Sequence, residues 1–128
     1  MQNRALYEKG RRTREQVLGA EHKRHLVETE DTFSLPLREF TTKYVWGEVW
    51  SSKGLPRKTR SLINIAMLTA LKCPLELKTH LRGARNNDCT KAEIRAVLLQ
   101  CAVYCGVPAM REAVRCAREV FAAEKRKR

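Results

Sequence analysis

Apolar residues recur at intervals of three and four along most of this chain, a spacing that predicts amphipathic helices. No segment shows the period-two alternation of a half-buried strand, and turn-forming residues separate the periodic stretches. The pattern therefore predicts an all-α protein of about six helices, placed near residues 2–18, 35–50, 57–72, 74–87 and 90–105 and from Pro108 to the C-terminal region.

Several residues mark where these helices begin and end. Gly19 is a plausible C-terminal cap for the first helix, and the polar stretch 20–32 is expected to be a loop. Pro74 favours the first position of a helix, which makes Cys73 its N-cap. Thr90 and Glu93 have the spacing of a capping box. The helix that follows Arg57 is apolar on nearly every side after Leu62 and is expected to be central and buried.

The length of the chain, 128 residues, suits one domain covering 1–128 and is short for two. The longest apolar run, Leu62 to Leu71, is far below the roughly 20 residues that a membrane span needs. No apolar stretch follows the basic N-terminal residues as it does in a signal peptide. A cytoplasmic protein without a membrane partner is expected.

The net charge of +12 raises nucleic acid as a possible partner. The excess is spread along the chain, however, and the one cluster is the terminal KRKR at Lys125–Arg128. Few aromatic residues interleave with the basic ones to stack on bases. A nucleic-acid partner is therefore disfavoured, and a small anionic substrate would suit the same charge.

The five cysteines are expected to be reduced thiols, with Cys101, Cys105 and Cys116 at core positions of helices. A zinc site would need a C-x2-C pair joined by a second pair or by histidines, and that spacing is missing. The sequence predicts neither a metal nor a cofactor.

The stretch ELKTHLRGARNN, residues 76–87, contains the main candidate for chemistry. Glu76 and His80 are one helical turn apart and lie beside the apolar stripe of Leu77 and Leu81. Two interpretations fit this placement: a catalytic acid with a residue that orients it, or a satisfied pair at the edge of the core. Cys73 shares the same side of the helix, and a thiol at a helix N-terminus can be reactive.

Five strings carry a resemblance that covers nearly the whole chain: YEKGRRTREQVLG (7–19), YVWGEVW (44–50), GLPRKTRSLINIAMLTAL (54–71), ELKTHLRGARNN (76–87) and TKAEIRAVLLQCAVYCGVPA (90–109). Together they resemble the gamma-carboxymuconolactone decarboxylase family. This resemblance implies the AhpD-like all-α fold and a homo-oligomer, a hexamer or a trimer.

The resemblance also implies a reaction and its residues. The reaction is the cofactor-free decarboxylation of 4-carboxymuconolactone, a small anionic lactone, to 3-oxoadipate enol-lactone in the protocatechuate branch of the beta-ketoadipate pathway. His80 matches the histidine of the E-L-x-x-H-x-R-x-A motif and would donate the proton or stabilise the oxyanion, and Glu76 would orient it. The remaining candidates are Arg82, Arg57 and Arg60 for the substrate carboxylates and Trp46 and Glu48 for the pocket wall.

Departures from related patterns leave alternatives open. Peroxidase-type relatives of the fold carry C-x-x-C-x-x-x-H, whereas Cys73 to His80 reads C-x-x-E-x-x-x-H, so the second thiol is missing. Ser52-Lys53 stands where many decarboxylases have Arg-Pro, and residues 111–116 are more charged than the family pattern. The alternatives are a thiol-dependent peroxidase or reductase using Cys73, a decarboxylase for another lactone or keto acid, and a basic oligomeric scaffold.

Overall fold

The computed structural model describes residues 4–127, most of which lie in helices. Within that range there is no strand, so the predicted all-α class is confirmed. Seven α-helices and one π-helical segment take the place of about six helices. They are α1 (Arg4–Leu18), α2 (Ala20–Glu28), α3 (Leu35–Phe40), the π-helical segment (Thr41–Val49), α4 (Arg57–Ala70), α5 (Pro74–Asn86), α6 (Lys91–Cys105) and α7 (Val107–Arg126).

Helix α2 lies where a loop was predicted for residues 20–32, and that prediction is wrong for Ala20–Glu28. Gly19, with φ 93°, ends α1 in a conformation that glycine tolerates, and α2 starts at the next residue. No residue of α2 is buried. A helix without a buried face carries no apolar periodicity, which is why the hydrophobic pattern could not reveal it.

The helix predicted for 35–50 begins as α3 and continues as the π-helical segment, in which hydrogen bonds join residues five apart. The Trp50 backbone N–H, for example, donates to the Val45 carbonyl at 2.9 Å. Trp46 and Trp50 stack with ring centroids 4.8 Å apart. Both rings are buried and share a core cluster with Val17 and Leu18 of α1.

The chain divides between Arg57 and Lys58 into two compact units. The first contains α1, α2, α3 and the π-helical segment, and the second contains nearly all of α4 together with α5, α6 and α7. The single domain over 1–128 stays a prediction. No helix described between residues 4 and 127 has the length and apolar character needed to cross a membrane.

The second unit is built around a core shared by its four helices. Its largest fully buried side chains include Ile65, Leu77, Leu81 and Ile94. The expectation of a helix buried on nearly every side was wrong for α4 within this chain, because Met67 is 49% exposed and the buried positions repeat every four residues. They are Ser61, Ile65 and Thr69.

The two predicted N-terminal caps of the second unit, at Cys73 and Thr90, are confirmed. Cys73 is the N-cap of α5. Thr90 accepts a hydrogen bond from the Glu93 backbone N–H at 3.0 Å, while the Glu93 carboxylate accepts one from the Thr90 N–H at 2.8 Å.

Cys105 is exposed at the end of α6, so its predicted core position is wrong. Of the KRKR tail, Arg128 lies outside the described residues.

Candidate active site

His80 lies in the middle of α5, half-buried, between the buried Leu77 and Leu81. The Asn64 side-chain amide, on α4, places its Nδ2 3.3 Å from His80 Nδ1. With the amide nitrogen as donor, Nδ1 accepts and the ring's proton lies on Nε2. The contact therefore orients the ring through Nδ1: a neutral ring accepts there from the amide N–H, and a protonated ring donates there to the amide oxygen.

A second side-chain hydrogen bond joins the same two helices. Asn87 Nδ2 donates to the Ser61 hydroxyl at 2.9 Å, and Ser61 is fully buried. Asn64 is one turn beyond Ser61 on α4, so both polar contacts lie along one helix pair. Together they hold α4 and α5 in a fixed register, which positions the His80 ring.

Asn64 was missed as a site residue, although the sequence contains a signal for it. It interrupts the apolar run from Leu62 to Leu71 with an amide. A polar side chain within such a run must find a hydrogen-bond partner when the helix packs, because an unsatisfied buried amide is costly. The ring of His80 is that partner.

Glu76 is exposed in the first turn of α5, where a carboxylate interacts favourably with the helix dipole. It stands one turn before His80, as the sequence predicted. The ring's contact at Nδ1 comes from Asn64. An orienting role for Glu76 stays a prediction.

The predicted arginines of the second unit are placed differently with respect to His80. Arg60 is half-buried and one turn before Asn64, so it shares a side of α4 with the residue that contacts the ring. Arg82 is exposed and donates to the Thr79 hydroxyl at 3.5 Å. Because residues two apart on a helix do not face each other, α5 does not bring Arg82 to the side of His80. The carboxylate-binding roles of Arg60 and Arg82 both stay predictions.

The other three predicted residues belong to the first unit. Trp46 is 4% exposed in the core with Trp50, which is the ordinary setting of a structural tryptophan. Glu48 is exposed on the π-helical segment. Arg57 donates to Gln16 Oε1 at 2.9 Å and lines an open groove together with Lys9 and Lys53. The roles of Trp46, Glu48 and Arg57 in the site stay predictions. Lys53 adds a positive charge to the groove that Arg57 lines.

The Cys73 thiol and side chains that could bind a metal ion are the remaining candidates for chemistry. The Cys73 thiol is half-buried and lies 3.7 Å from the Leu71 carbonyl oxygen. Among residues 4–127 no three His, Cys, Asp or Glu side chains are grouped so that they could hold a metal ion. The absence of a cofactor remains a prediction from the sequence.

Comparison with known proteins identifies the family. The family model described as "Carboxymuconolactone decarboxylase family" matches residues 36–119. A 4-carboxymuconolactone decarboxylase from Acinetobacter baylyi is 42% identical over 94% of this chain and 90% of its own length. A nitrosuccinic acid decarboxylase from Metarhizium robertsii is 41% identical over 88% of this chain and 78% of its own length. The resemblance drawn from the sequence is thus confirmed, and the chain belongs to the carboxymuconolactone decarboxylase family.

Proposed function

We propose that this decarboxylase acts on 4-carboxymuconolactone, yields 3-oxoadipate enol-lactone in the protocatechuate branch of the beta-ketoadipate pathway, and uses His80 as its proton donor. The observation that carries the proposal is the 42% identity to a 4-carboxymuconolactone decarboxylase over 94% of the chain. The His80–Asn64 contact supports the choice of residue, since it orients the imidazole.

The substrate supplies the electron sink of this reaction. Its departing carboxylate is attached to the ring carbon that bears the lactone oxygen, in conjugation with an unsaturated lactone carbonyl. When the carbon–carboxylate bond breaks, its electron pair delocalises to the carbonyl oxygen and carbon dioxide leaves. What the protein must add is an environment that stabilises the developing oxyanion and a proton for the ring carbon.

His80 and Arg60 divide these tasks in the proposed mechanism. In its protonated form the His80 ring hydrogen-bonds through Nε2–H to the carbonyl oxygen as negative charge develops, then passes that proton to the ring carbon next to the carbonyl and is left as a neutral imidazole. Water then returns a proton to the imidazole. Arg60 holds a carboxylate of the substrate on the side of α4 that carries Asn64, because a guanidinium can donate two parallel hydrogen bonds to a carboxylate.

Nitrosuccinic acid is a second candidate substrate, favoured by the 41% identity to its decarboxylase. Its nitro group can accept the electron pair from an adjacent carboxylate just as the lactone carbonyl does. Both substrates then need the same two contributions from the protein: a cation for a carboxylate and a proton for carbon. The proposed roles of His80 and Arg60 serve either substrate, so the choice between them is decided by assay.

The substrate is tested by assaying the purified full chain on 4-carboxymuconolactone and on nitrosuccinic acid, following carbon dioxide release for both. We expect kcat/KM on the lactone to exceed that on nitrosuccinic acid by at least about tenfold, a preference of roughly 1.4 kcal/mol in transition-state stabilisation. The assay is repeated with EDTA and without thiol, and both rates are expected to stay the same. The reverse preference would assign the chain to the nitro acid, and no turnover of either would overturn the proposal.

Asn64 is proposed as a positioning residue for His80. Asn64→Ala should lower kcat about fivefold, because one net hydrogen bond of roughly 1 kcal/mol no longer holds the ring, while KM changes little. In ¹⁵N spectra of the imidazole, the proton should become shared between Nδ1 and Nε2, a change that a general loss of stability would not cause. Asn64→Gln, which keeps an amide, should recover part of the rate.

The matched control is Gln100→Ala, which removes an exposed amide from α6 of the same unit. It should leave both kcat and the ring's tautomer unchanged. A normal rate and an unchanged tautomer in Asn64→Ala would contradict the positioning role.

A further inference from the structure

A cavity of about 100 Å³ lies within the first unit, apart from the elements that carry His80. Helices α1, α2 and α3 and the start of the π-helical segment form its walls. Its lining combines cationic and apolar side chains, among them Arg14, Arg38, His22, Leu26 and Leu35. The proposed decarboxylation uses none of these residues.

Arg14 is the most enclosed cation of this cavity. Its Nη2 donates to the Thr42 hydroxyl at 2.7 Å, and that hydroxyl donates in turn to the Arg38 carbonyl oxygen at 2.7 Å. Thr42 is 1% exposed, so the guanidinium is anchored to the interior at one end. Burial lowers the pKa of Arg14; Tyr7 opposes that change and the charge of Arg38 adds to it. Both guanidinium groups line the same cavity.

The Arg38 guanidinium also donates hydrogen bonds to uncharged groups. It donates to the Leu26 carbonyl oxygen through Nη1 and to the Thr29 hydroxyl through Nη2, the latter at 2.7 Å. Neither Arg14 nor Arg38 forms a salt bridge within residues 4–127. Hydrogen bonds from Ser34 and, in smaller part, the charge of Arg38 lower the pKa of Asp31, so a carboxylate lies near Arg38 without forming a salt bridge with it.

Two other basic residues that line the cavity each form a salt bridge with a carboxylate. Lys23 pairs with Glu15 at 2.8 Å, and Arg11 pairs with Glu8 at 3.0 Å. Glu30 and Glu39 also line the cavity, but each lies beyond salt-bridge distance of both Arg14 and Arg38 within the described residues. A partly buried pair of like charges is stable only when an anion or water compensates it, because burying an unpaired charge is costly.

We propose that this cavity binds a small organic carboxylate, with its carboxylate held by Arg14 and Arg38 and its short apolar body against Leu26 and Leu35. Each guanidinium has five N–H donors, and the protein contacts engage one on Arg14 and two on Arg38. The free donors suit the two oxygens of a carboxylate. The volume is well below the roughly 300–1,000 Å³ of sites for drug-sized ligands, so the ligand is a short-chain acid.

The probe for this site is succinate, titrated into the full chain at constant ionic strength while backbone and arginine Nε–H signals are followed by NMR. We expect saturable shifts in α1, in α3 and at Thr42, and we expect Arg14→Gln with Arg38→Gln to weaken binding at least about tenfold, as the loss of charge-assisted hydrogen bonds should. Arg12→Gln, which removes an exposed charge from the same helix, should weaken it less than twofold.

Three outcomes would overturn the proposal: no saturable binding by the unchanged chain, undiminished binding by the double variant, or an equal loss in Arg12→Gln, which would indicate general charge attraction. If the double variant does not fold, the arginine Nε–H signals of the unchanged chain decide, since they must saturate together with the backbone shifts. The titration is repeated with His80→Ala. Binding there is expected to persist, so this site stands or falls separately from the proposed decarboxylation.

Discussion

Replacing His80 by alanine is expected to lower kcat on the preferred substrate by about 10²–10⁴, the usual effect of removing a general acid. Without the imidazole, the anion left by carbon dioxide must take its proton from water, and its oxygen loses a hydrogen bond. The side chain is half-buried at the edge of the core, so the variant should keep its fold. Steady-state kinetics and far-ultraviolet circular dichroism measure the two effects.

His25→Ala is the matched control, because it removes an exposed histidine from α2 in the first unit. It should change kcat by less than about twofold. His80→Gln separates two roles: it can donate a hydrogen bond to an oxyanion but cannot deliver a proton at neutral pH. A rate close to normal in His80→Ala would reject His80 as the acid, whereas recovery in His80→Gln would assign it to oxyanion stabilisation alone.

The helices that could be predicted from the sequence are those with a buried stripe or a strong cap. α5 begins at Pro74 and buries Leu77 and Leu81, which are one turn apart. α6 begins after the capping box formed by Thr90 and Glu93. α2 could not be predicted, because it buries no residue and so leaves no hydrophobic period. The π-helical segment also could not be predicted from the sequence. Its hydrogen bonds join residues five apart in place of four, and the residue types that form it are those of an ordinary helix.

In the candidate site, too, features local in the sequence could be predicted, whereas contacts made by the packing of helices could not. The position of His80 on a helix could be predicted because the residues around it keep helical spacing, while its catalytic role stays a prediction. Asn64 is 16 residues away in the chain, and only the packing of α4 on α5 brings its amide to the ring. Arg82 was a candidate through the family resemblance; it is two residues from His80 on α5, a spacing at which side chains do not face each other, and its role stays a prediction. Proximity in sequence did not decide which side chains meet.

Gly10→Ala is the substitution expected to damage the fold most, lowering the free energy of unfolding by about 2–4 kcal/mol. A Cβ at Gly10 would lie 1.8 Å from the Thr42 carbonyl oxygen and 2.8 Å from the Gly47 backbone nitrogen. A Cβ at Gly47 would lie 2.5 Å from the Leu6 carbonyl oxygen. The helices thus approach through backbone atoms, which cannot move aside as a flexible side chain can. Alanine's better helix propensity offsets only about 1 kcal/mol of that cost.

Urea unfolding followed by tryptophan fluorescence measures this loss, since Trp46 and Trp50 lie in the core that α1 closes. Arg12→Ala, on the exposed side of α1, should stay within about 0.5 kcal/mol of the unchanged chain. An equally stable Gly10→Ala would show that α1 and the π-helical segment can separate without cost. Because the residue that Gly10 touches is Thr42, whose hydroxyl anchors Arg14, the alanine variant should also weaken succinate binding while leaving the His80–Asn64 contact in place.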